Sequence, residues 1–150
     1  MTDKKTLLAY CGMYCGDCLG RTGVIADAAS EFKAVLDKYK FRRSAECVLS
    51  KQLPDFGDFE EKLGFMTGLR CKQVCRERED DAIACTVRRC CIERGYFACH
   101  ECGDLETCDK LSSHYNSLHY DAWMKNLKAV RDLGLEEWLE NGPRHHYWDK

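Results

Sequence analysis

The stretch CTVRRCCIERGYFACHECGDLETC, residues 85 to 108, holds six of the twelve cysteines in this chain of 150 residues. Five of the six follow a C-x4-C and then a C-x2-C-x5-C spacing, namely Cys85, Cys90, Cys99, Cys102 and Cys108. A C-x2-C turn places two sulfurs on one side of a tight loop, where both can bind one metal ion. Because Zn²⁺ prefers four tetrahedral ligands and binds thiolates strongly, this stretch predicts a metal-binding segment.

Two further cysteine groups precede this stretch. Cys11, Cys15 and Cys18 have C-x3-C-x2-C spacing, and Cys71 and Cys75 have C-x3-C spacing. No group contains four cysteines, so a four-coordinate site must join groups that are distant in sequence. We therefore predict two or more zinc ions that cross-link the chain, with ten candidate ligands: Cys11, Cys15, Cys18, Cys71, Cys75, Cys85, Cys90, Cys99, Cys102 and Cys108.

The local backbone around these groups can also be predicted. Gly12 and Gly16 disfavour a helix, so Cys11 and Cys15 are expected on a loop. Cys71 and Cys75 could project from consecutive turns of a helix. Cys85 and Cys90 are five positions apart, about 140° around a helix. They can bind the same ion only if Cys85 lies at or before the helix start.

The remaining cysteines and the histidines are expected to have other roles. Cys47 and Cys91 are predicted to be small buried apolar residues, because free cysteine is commonly buried. His100, inside the C-x2-C turn, is expected to point outward. His114 and His119 are expected at the surface or at an interface.

The sequence predicts that these thiols lie in a reducing compartment. The apolar stretch before Cys11 is too short for a secretory signal, and no segment is long enough for a membrane helix. We therefore expect a cytoplasmic protein, in which dense cysteines indicate metal binding or thiol chemistry rather than an exported disulfide framework. The net charge of −2 argues against nucleic acid or a membrane as partner. A protein partner is left open.

Between the cysteine groups the hydrophobic pattern is helical. Apolar residues recur at i, i+3 and i+4 spacing over residues 24–40, 56–66 and 121–133, and a shorter segment covers 135–140. A further helix is expected from Asp80 and Asp81 to a C-cap at Gly95. No stretch alternates long enough to predict a strand. The fold class is therefore mainly α, with residues 1–150 forming one small domain whose cysteine-rich turns bind metal.

An iron–sulfur interpretation is the alternative. The C-x3-C-x2-C spacing of Cys11, Cys15 and Cys18 is the one that radical S-adenosylmethionine enzymes use, but this chain is short and lacks strand–helix alternation. A simpler [4Fe–4S] cluster with a remote fourth thiol, or a thiol-redox protein, remains open. A phosphate-binding glycine loop and a nucleophile elbow are both missing, and no reaction is predicted.

Three long stretches resemble the cysteine-rich domain-of-unknown-function 3795 family: YCGMYCGDCLG (10–20), CTVRRCCIERGYFACHECGDLETCDKL (85–111) and NLKAVRDLGLEEWLENG (126–142). The resemblance implies metal binding, with zinc as the metal, and no known activity. The family often has a C-x2-C pair where this chain has Cys71-x3-Cys75, and Cys47 and Cys91 have no counterpart in the pattern. The cysteines that match the pattern are Cys11, Cys15, Cys18, Cys85, Cys90, Cys99, Cys102 and Cys108.

Overall fold

The computed structural model describes residues 3–78, 85–114 and 117–149. Their secondary structure is helical, and their only β pairing is one isolated bridge between Leu8 and Tyr14. This confirms the mainly α fold class. The α-helices of the described part are α1 (Leu19–Thr22), α2 (Val24–Lys38), α3 (Phe41–Cys47), α4 (Phe56–Met66), α5 (Thr86–Arg94), α6 (Asp109–Ser112), α7 (Tyr120–Leu133) and α8 (Leu135–Asn141).

Short 3-10 helices cover Lys4–Leu7, Cys75–Glu77, Cys99–Glu101, Leu105–Thr107 and Ser117–His119. The chain forms two compact units, and each is described by itself. The first consists of Met1–Gly16 with Gln73–Lys150, and the second of Asp17–Lys72. The predicted organisation as one domain over residues 1–150 stays a prediction.

The first unit has its main core on α7. The apolar spacing of this helix buries Trp123, Leu127 and Val130 on one face, and removing each such side chain from water contributes roughly 1.5–3 kcal/mol. The cluster around Trp123 and Leu127 also contains residues from the cysteine-rich stretch: Val87, Cys91, Ala98, Cys99, Leu105 and Leu111. The cysteine-rich turns are therefore packed on α7 by ordinary apolar contacts.

A second cluster of the same unit packs α8 against the N-terminal segment. Trp138 meets the ring of Tyr14 edge-on at 5.6 Å between centroids. The guanidinium of Arg144 lies over both rings and donates to the backbone oxygen of Leu139 at 2.9 Å. Buried Asn126 on α7 donates to the backbone oxygen of Gly12 at 3.0 Å. These contacts hold the Cys11 loop against the helices.

Arg76 ties together three segments of the first unit. It donates from Nε to the Leu8 backbone oxygen at 2.7 Å and from Nη2 to the Phe97 backbone oxygen at 2.6 Å. Its guanidinium also lies 4.3 Å from the centroid of the Tyr10 ring and 3.8 Å from that of Phe97. Arg76 therefore fixes the segment that carries Cys75 close to the segment that carries Cys11.

The second unit has its core between α2, α3 and α4. Its buried residues are Ala29, Leu36, Ala45, Phe56 and Leu63. The predicted helix over residues 24–40 is confirmed as α2, but part of its apolar stripe is exposed. Alanines and Leu36 are buried, whereas Phe32, Val35 and Tyr39 are about half exposed or more. Periodicity located the helix correctly and overestimated the width of its buried face.

The other predicted helices agree closely with the structure. α4 begins directly after Pro54-Asp55, α7 ends before Gly134, and α8 ends before Gly142-Pro143. α5 ends at Arg94, and its C-cap Gly95 has a φ of +70° as a C-cap glycine requires. Asp80 and Asp81, its expected start, lie outside the described residues, but a helix running through Cys85 is wrong, because Cys85 is extended and α5 begins at Thr86. Among the described residues, no helix is long and apolar enough to cross a membrane.

Candidate metal centre

The loop that carries Cys11 is closed by backbone hydrogen bonds. Ala9 N donates to Met13 O at 2.8 Å, Gly12 N donates to Ala9 O at 3.1 Å, and Cys15 N donates to Leu7 O at 2.7 Å. Gly12 has a φ of +92°, which glycine adopts readily. The predicted loop is thus confirmed, and its thiols extend from a fixed backbone.

Cys85 is the N-cap residue of α5. Its backbone is extended, with φ −73° and ψ 105°, and its Sγ accepts from Arg88 N at 3.5 Å. Cys90 and Cys91 lie within the helix. The condition for Cys85 and Cys90 to share an ion, that Cys85 lie at or before the helix start, is met.

The Cys99–Cys102 turn is held by α7. The 3-10 helix Cys99–Glu101 closes with a bond from Cys102 N to Cys99 O at 3.1 Å. Arg131 of α7 donates from Nε to His100 O at 3.0 Å and from Nη2 to Cys102 O at 2.8 Å. Two carbonyls of the turn are therefore bound by one guanidinium, which fixes the orientation of the turn.

Five thiols line one small cavity of about 20 Å³ in the first unit. A space of this size is sufficient for one water-sized particle. Within it, Cys91 Sγ and Cys99 Sγ are 3.5 Å apart. The side chains of Val87, Tyr96, Leu105 and Lys110 complete the wall. We refer to the five thiols as the cavity group: Cys90, Cys91, Cys99, Cys102 and Cys108.

Three further thiols of the first unit, Cys11, Cys75 and Cys85, form what we call the loop group. Burial raises the pKa of Cys11 to about 12, and the neighbouring Cys75 and Cys85 add to the shift. Burial likewise raises the pKa of Cys75, with Cys85 contributing. Cys11 and Cys85 also pack against the same core cluster, and Arg76 holds the segment of Cys75 beside that of Cys11.

Electrostatics also connect the two groups. The hydrogen bond with Cys91, followed by burial, raises the pKa of Cys99, and Cys11 contributes to the shift. The same hydrogen bond lowers the pKa of Cys91. Arg94 donates from Nη1 to Cys102 Sγ at 3.7 Å. This contact places a cation beside the cavity group.

The second unit contains Cys18, Cys71 and Cys47. A Cβ built on Gly20 would lie 3.3 Å from Cys71 Sγ and 3.9 Å from Cys18 Sγ, so both thiols face the same glycine. The expectation that Cys47 is buried is wrong, because this last residue of α3 is exposed. The suggested helix through Cys71 and Cys75 is also wrong, since residues 71–74 are not helical.

The cysteines suit a metal ion by their chemistry, but in the part of the chain that the structure describes their side chains are not grouped closely enough to hold one. The cysteines of the described residues form no disulfide, and thiolates are the donors that zinc and iron–sulfur clusters take. Within residues 3–78, 85–114 and 117–149, however, no three histidine, cysteine, aspartate or glutamate side chains are grouped so that they could hold a metal ion. The thiols fit a metal in type and number, and binding would require some of their side chains to rotate.

The structure places His100 and His114 differently from the positions expected from the sequence. His100 does not simply point outward, since its Nδ1 is buried without a hydrogen-bond partner. His114 was not predicted as a site residue, yet its Nε2 lies 3.4 Å from Cys85 Sγ. No sequence signal indicated this contact, because it joins residues 29 positions apart.

Together, the fold and the thiol groups define a small helical, cysteine-rich protein. The family model described as "Protein of unknown function (DUF3795)" matches residues 7–113, well over half of the chain, and the chain belongs to this family. The resemblance seen in the sequence is thereby confirmed, although the stretch over residues 126–142 lies beyond the matched segment. Comparison with curated proteins and with solved structures finds no match.

Proposed function

We propose that this protein is a zinc-binding module in which thiolates from distant segments hold structural metal ions. The observation that carries the proposal is the cavity group, in which five thiols from α5, the 3-10 helix Cys99–Glu101 and the segment before α6 line one small cavity. Free cysteine in a core is usually isolated among apolar residues. Five thiols on one cavity of ion-like size instead favour a metal.

Four of these five thiols are proposed as ligands of one ion, namely Cys90, Cys99, Cys102 and Cys108. Of the five thiols in the cavity group, these four match the family pattern described in the sequence analysis. Cys91 is the neighbour that packs in the core. Four thiolates fill the tetrahedral positions of zinc and leave none for water, which is typical of structural sites rather than catalytic ones. No reaction is therefore assigned to this ion.

The electrostatics support a cation at this place. Burial raises the pKa of Cys11, and the hydrogen bond with Cys91, followed by burial, raises the pKa of Cys99; neighbouring thiols add to both shifts. A divalent ion reverses this effect by deprotonating the thiols that bind it. Arg94 donates to Cys102 Sγ and Lys110 lines the cavity, and a bound divalent metal would supply further compensating charge.

Further ions are proposed for the remaining predicted ligands: Cys11, Cys15, Cys18, Cys71, Cys75 and Cys85. One of these ions is supported by the packing of Cys11 and Cys85 against one core cluster and by Arg76, which holds the segment of Cys75 beside that of Cys11. We further propose that the protein is cytoplasmic and that the metal-stabilised surface serves a protein partner. A reducing compartment keeps cysteines in the thiol form that can bind metal.

The alternative occupant is a [4Fe–4S] cluster that uses Cys11, Cys15 and Cys18 with a fourth thiol. One experiment separates the two occupants: the full chain is purified anaerobically without added metal, and its metal content and absorption spectrum are measured. We expect two or more zinc ions per chain and no absorption in the visible range. A brown sample containing iron would favour the cluster, and less than one metal ion per chain of either kind would overturn the proposal.

A further inference from the structure

The imidazole of His114 lies against the thiol of Cys85, with Nε2 3.4 Å from Sγ. His114 is one residue beyond the segment that the family model matches, which ends at residue 113. We propose that His114 is a metal ligand and that it shares one ion with Cys85, Cys11 and Cys75. This inference rests on the proposed function, because it gives the second ion a nitrogen donor and a closed ligand set.

The separation of the two atoms agrees with this assignment. Zinc binds sulfur at about 2.3 Å and imidazole nitrogen at about 2.0–2.1 Å, so a tetrahedral angle places the two donors about 3.6 Å apart. The observed 3.4 Å is close to this value. By the same geometry two thiolates on one zinc lie about 3.8 Å apart. The pair therefore has nearly the spacing it would need around a shared ion.

The donor count around this pair is four. Cys11 and Cys85 pack against the same core cluster as Trp123, and Arg76 holds the segment of Cys75 beside that of Cys11, so three thiols and one imidazole lie in this part of the first unit. Three cysteines with one histidine form a common ligand set of closed zinc sites. Cys85 has its backbone fixed as the N-cap of the nine-residue helix α5, where Arg88 N already donates to its sulfur. Rotation of the Cys11 and Cys75 side chains would complete the site.

The ring of His114 is oriented by the core. It packs edge-on against the buried indole of Trp123, with 5.2 Å between centroids. The backbone just before it is fixed by α6, since His114 N donates to Leu111 O at 3.4 Å. An aromatic wall of this kind limits the rotation of the imidazole and keeps Nε2 directed towards Cys85.

His119 provides a matched control on the same core residue. Its ring stacks on the indole of Trp123, with 5.7 Å between centroids and an interplanar angle of 13°, and also meets the ring of Tyr147. Both histidines therefore contact one indole, but only the His114 contact with sulfur is relevant to a metal. Replacing His119 changes the packing around Trp123 without removing a proposed ligand.

The test uses the full chain loaded anaerobically with ¹¹³Cd²⁺, an ion that replaces zinc and gives one NMR resonance per site. We expect one resonance in the range of three thiolates and one nitrogen, next to a four-thiolate resonance at lower field. His114→Cys should move the first resonance downfield into the four-thiolate range and leave the cadmium content unchanged. His114→Ala should lose that resonance or weaken binding at that site at least tenfold, whereas His119→Ala should leave it in place.

The possible failures are distinguishable. If wild type binds cadmium but its spectrum is unchanged by His114→Cys and His114→Ala, the histidine assignment is wrong and the zinc proposal stands. If wild type binds no metal, both proposals fail together. Should His114→Ala not fold, His114→Cys still decides, since it supplies a donor at the same position, and an unshifted resonance in that variant would overturn the inference.

Discussion

At the scale of single residues, Cys91 and Cys102 line the same cavity, but we expect different results from replacing them. Cys102→Ser should lower the zinc content by about one ion per chain, because it removes one of four thiolate donors. Cys91→Ala should keep the full zinc content and cost on the order of 1–2 kcal/mol in stability, because it only trims a buried side chain. Metal analysis and thermal unfolding of both variants check this expectation.

Arg131 permits a second test at the same scale, since it donates to the backbone oxygens of His100 and Cys102 in the Cys99–Cys102 turn. Arg131→Met should lower zinc affinity roughly 10–100-fold, as loss of groups that orient metal ligands typically does. Lys128→Met is the control on the same helix, because it removes only an exposed ion pair to Glu106 at 2.9 Å. Competition with a chromophoric chelator measures both, and equal affinities would contradict a positioning role for Arg131.

In the first unit, cysteine spacing predicted a local turn well. It did not predict contacts between side chains that are distant in sequence. The C-x2-C pattern is local, so it correctly indicated the Cys99–Cys102 turn. The helix expected from Asp80 instead begins after Cys85, at Thr86. The 3.4 Å contact between His114 and Cys85 joins residues 29 positions apart. Such a contact depends on how α6 and Trp123 pack, and no single-sequence pattern records that packing.

At the scale of secondary-structure elements, Gly12 shows how the Cys11 loop is fitted to α7. A Cβ at this position would lie 2.6 Å from Leu127 Cγ and 2.8 Å from the Trp123 backbone oxygen, and φ is +92°. Gly12→Ala should therefore cost about 2–5 kcal/mol, through backbone strain and overpacking combined. Thermal unfolding should show a clear drop in Tm.

Gly95 is the matched control for that prediction. It has a similar φ of +70°, but a Cβ there meets nothing within 4 Å. Gly95→Ala should thus cost only the left-handed strain, about 1–2 kcal/mol. If the two alanine variants unfold at the same temperature, the close approach of the loop to α7 contributes nothing to stability.

Helix positions were predictable because they depend on local periodicity and caps, as α4, α7 and α8 show. Helix faces were less predictable. In α2 the large residues Phe32 and Val35 are about half exposed, and the buried contacts are made by alanines and Leu36. The alanines of α2 let α3 and α4 approach this helix closely. A hydrophobicity pattern gives alanine less weight than phenylalanine or valine, so it does not identify this buried face.

At the scale of the whole molecule, the raised thiol pKa values predict how the metal-free chain responds to alkali. Cys11 has a native pKa of about 12, against an ordinary value of about 9 in the unfolded chain. Between pH 9 and 12 the unfolded state has therefore lost a proton that the native state keeps. The free energy of unfolding should fall by roughly 1.4 kcal/mol per pH unit in that range. Denaturant unfolding of the reduced, metal-free chain at pH 8, 9 and 10 measures this.

The zinc-loaded chain should show the opposite dependence, and this contrast tests whether metal and fold are coupled. Binding requires thiolates, so each thiol that must lose a proton makes apparent zinc affinity fall about tenfold per pH unit below its pKa. Because bound metal stabilises only the native state, the unfolding free energy of the loaded chain should rise from pH 6 to pH 8. Chelator competition and thermal unfolding at pH 6, 7 and 8 give both quantities. A loaded chain whose stability is unchanged over this range, or equals that of the metal-free chain, would show that the ions do not hold the fold together.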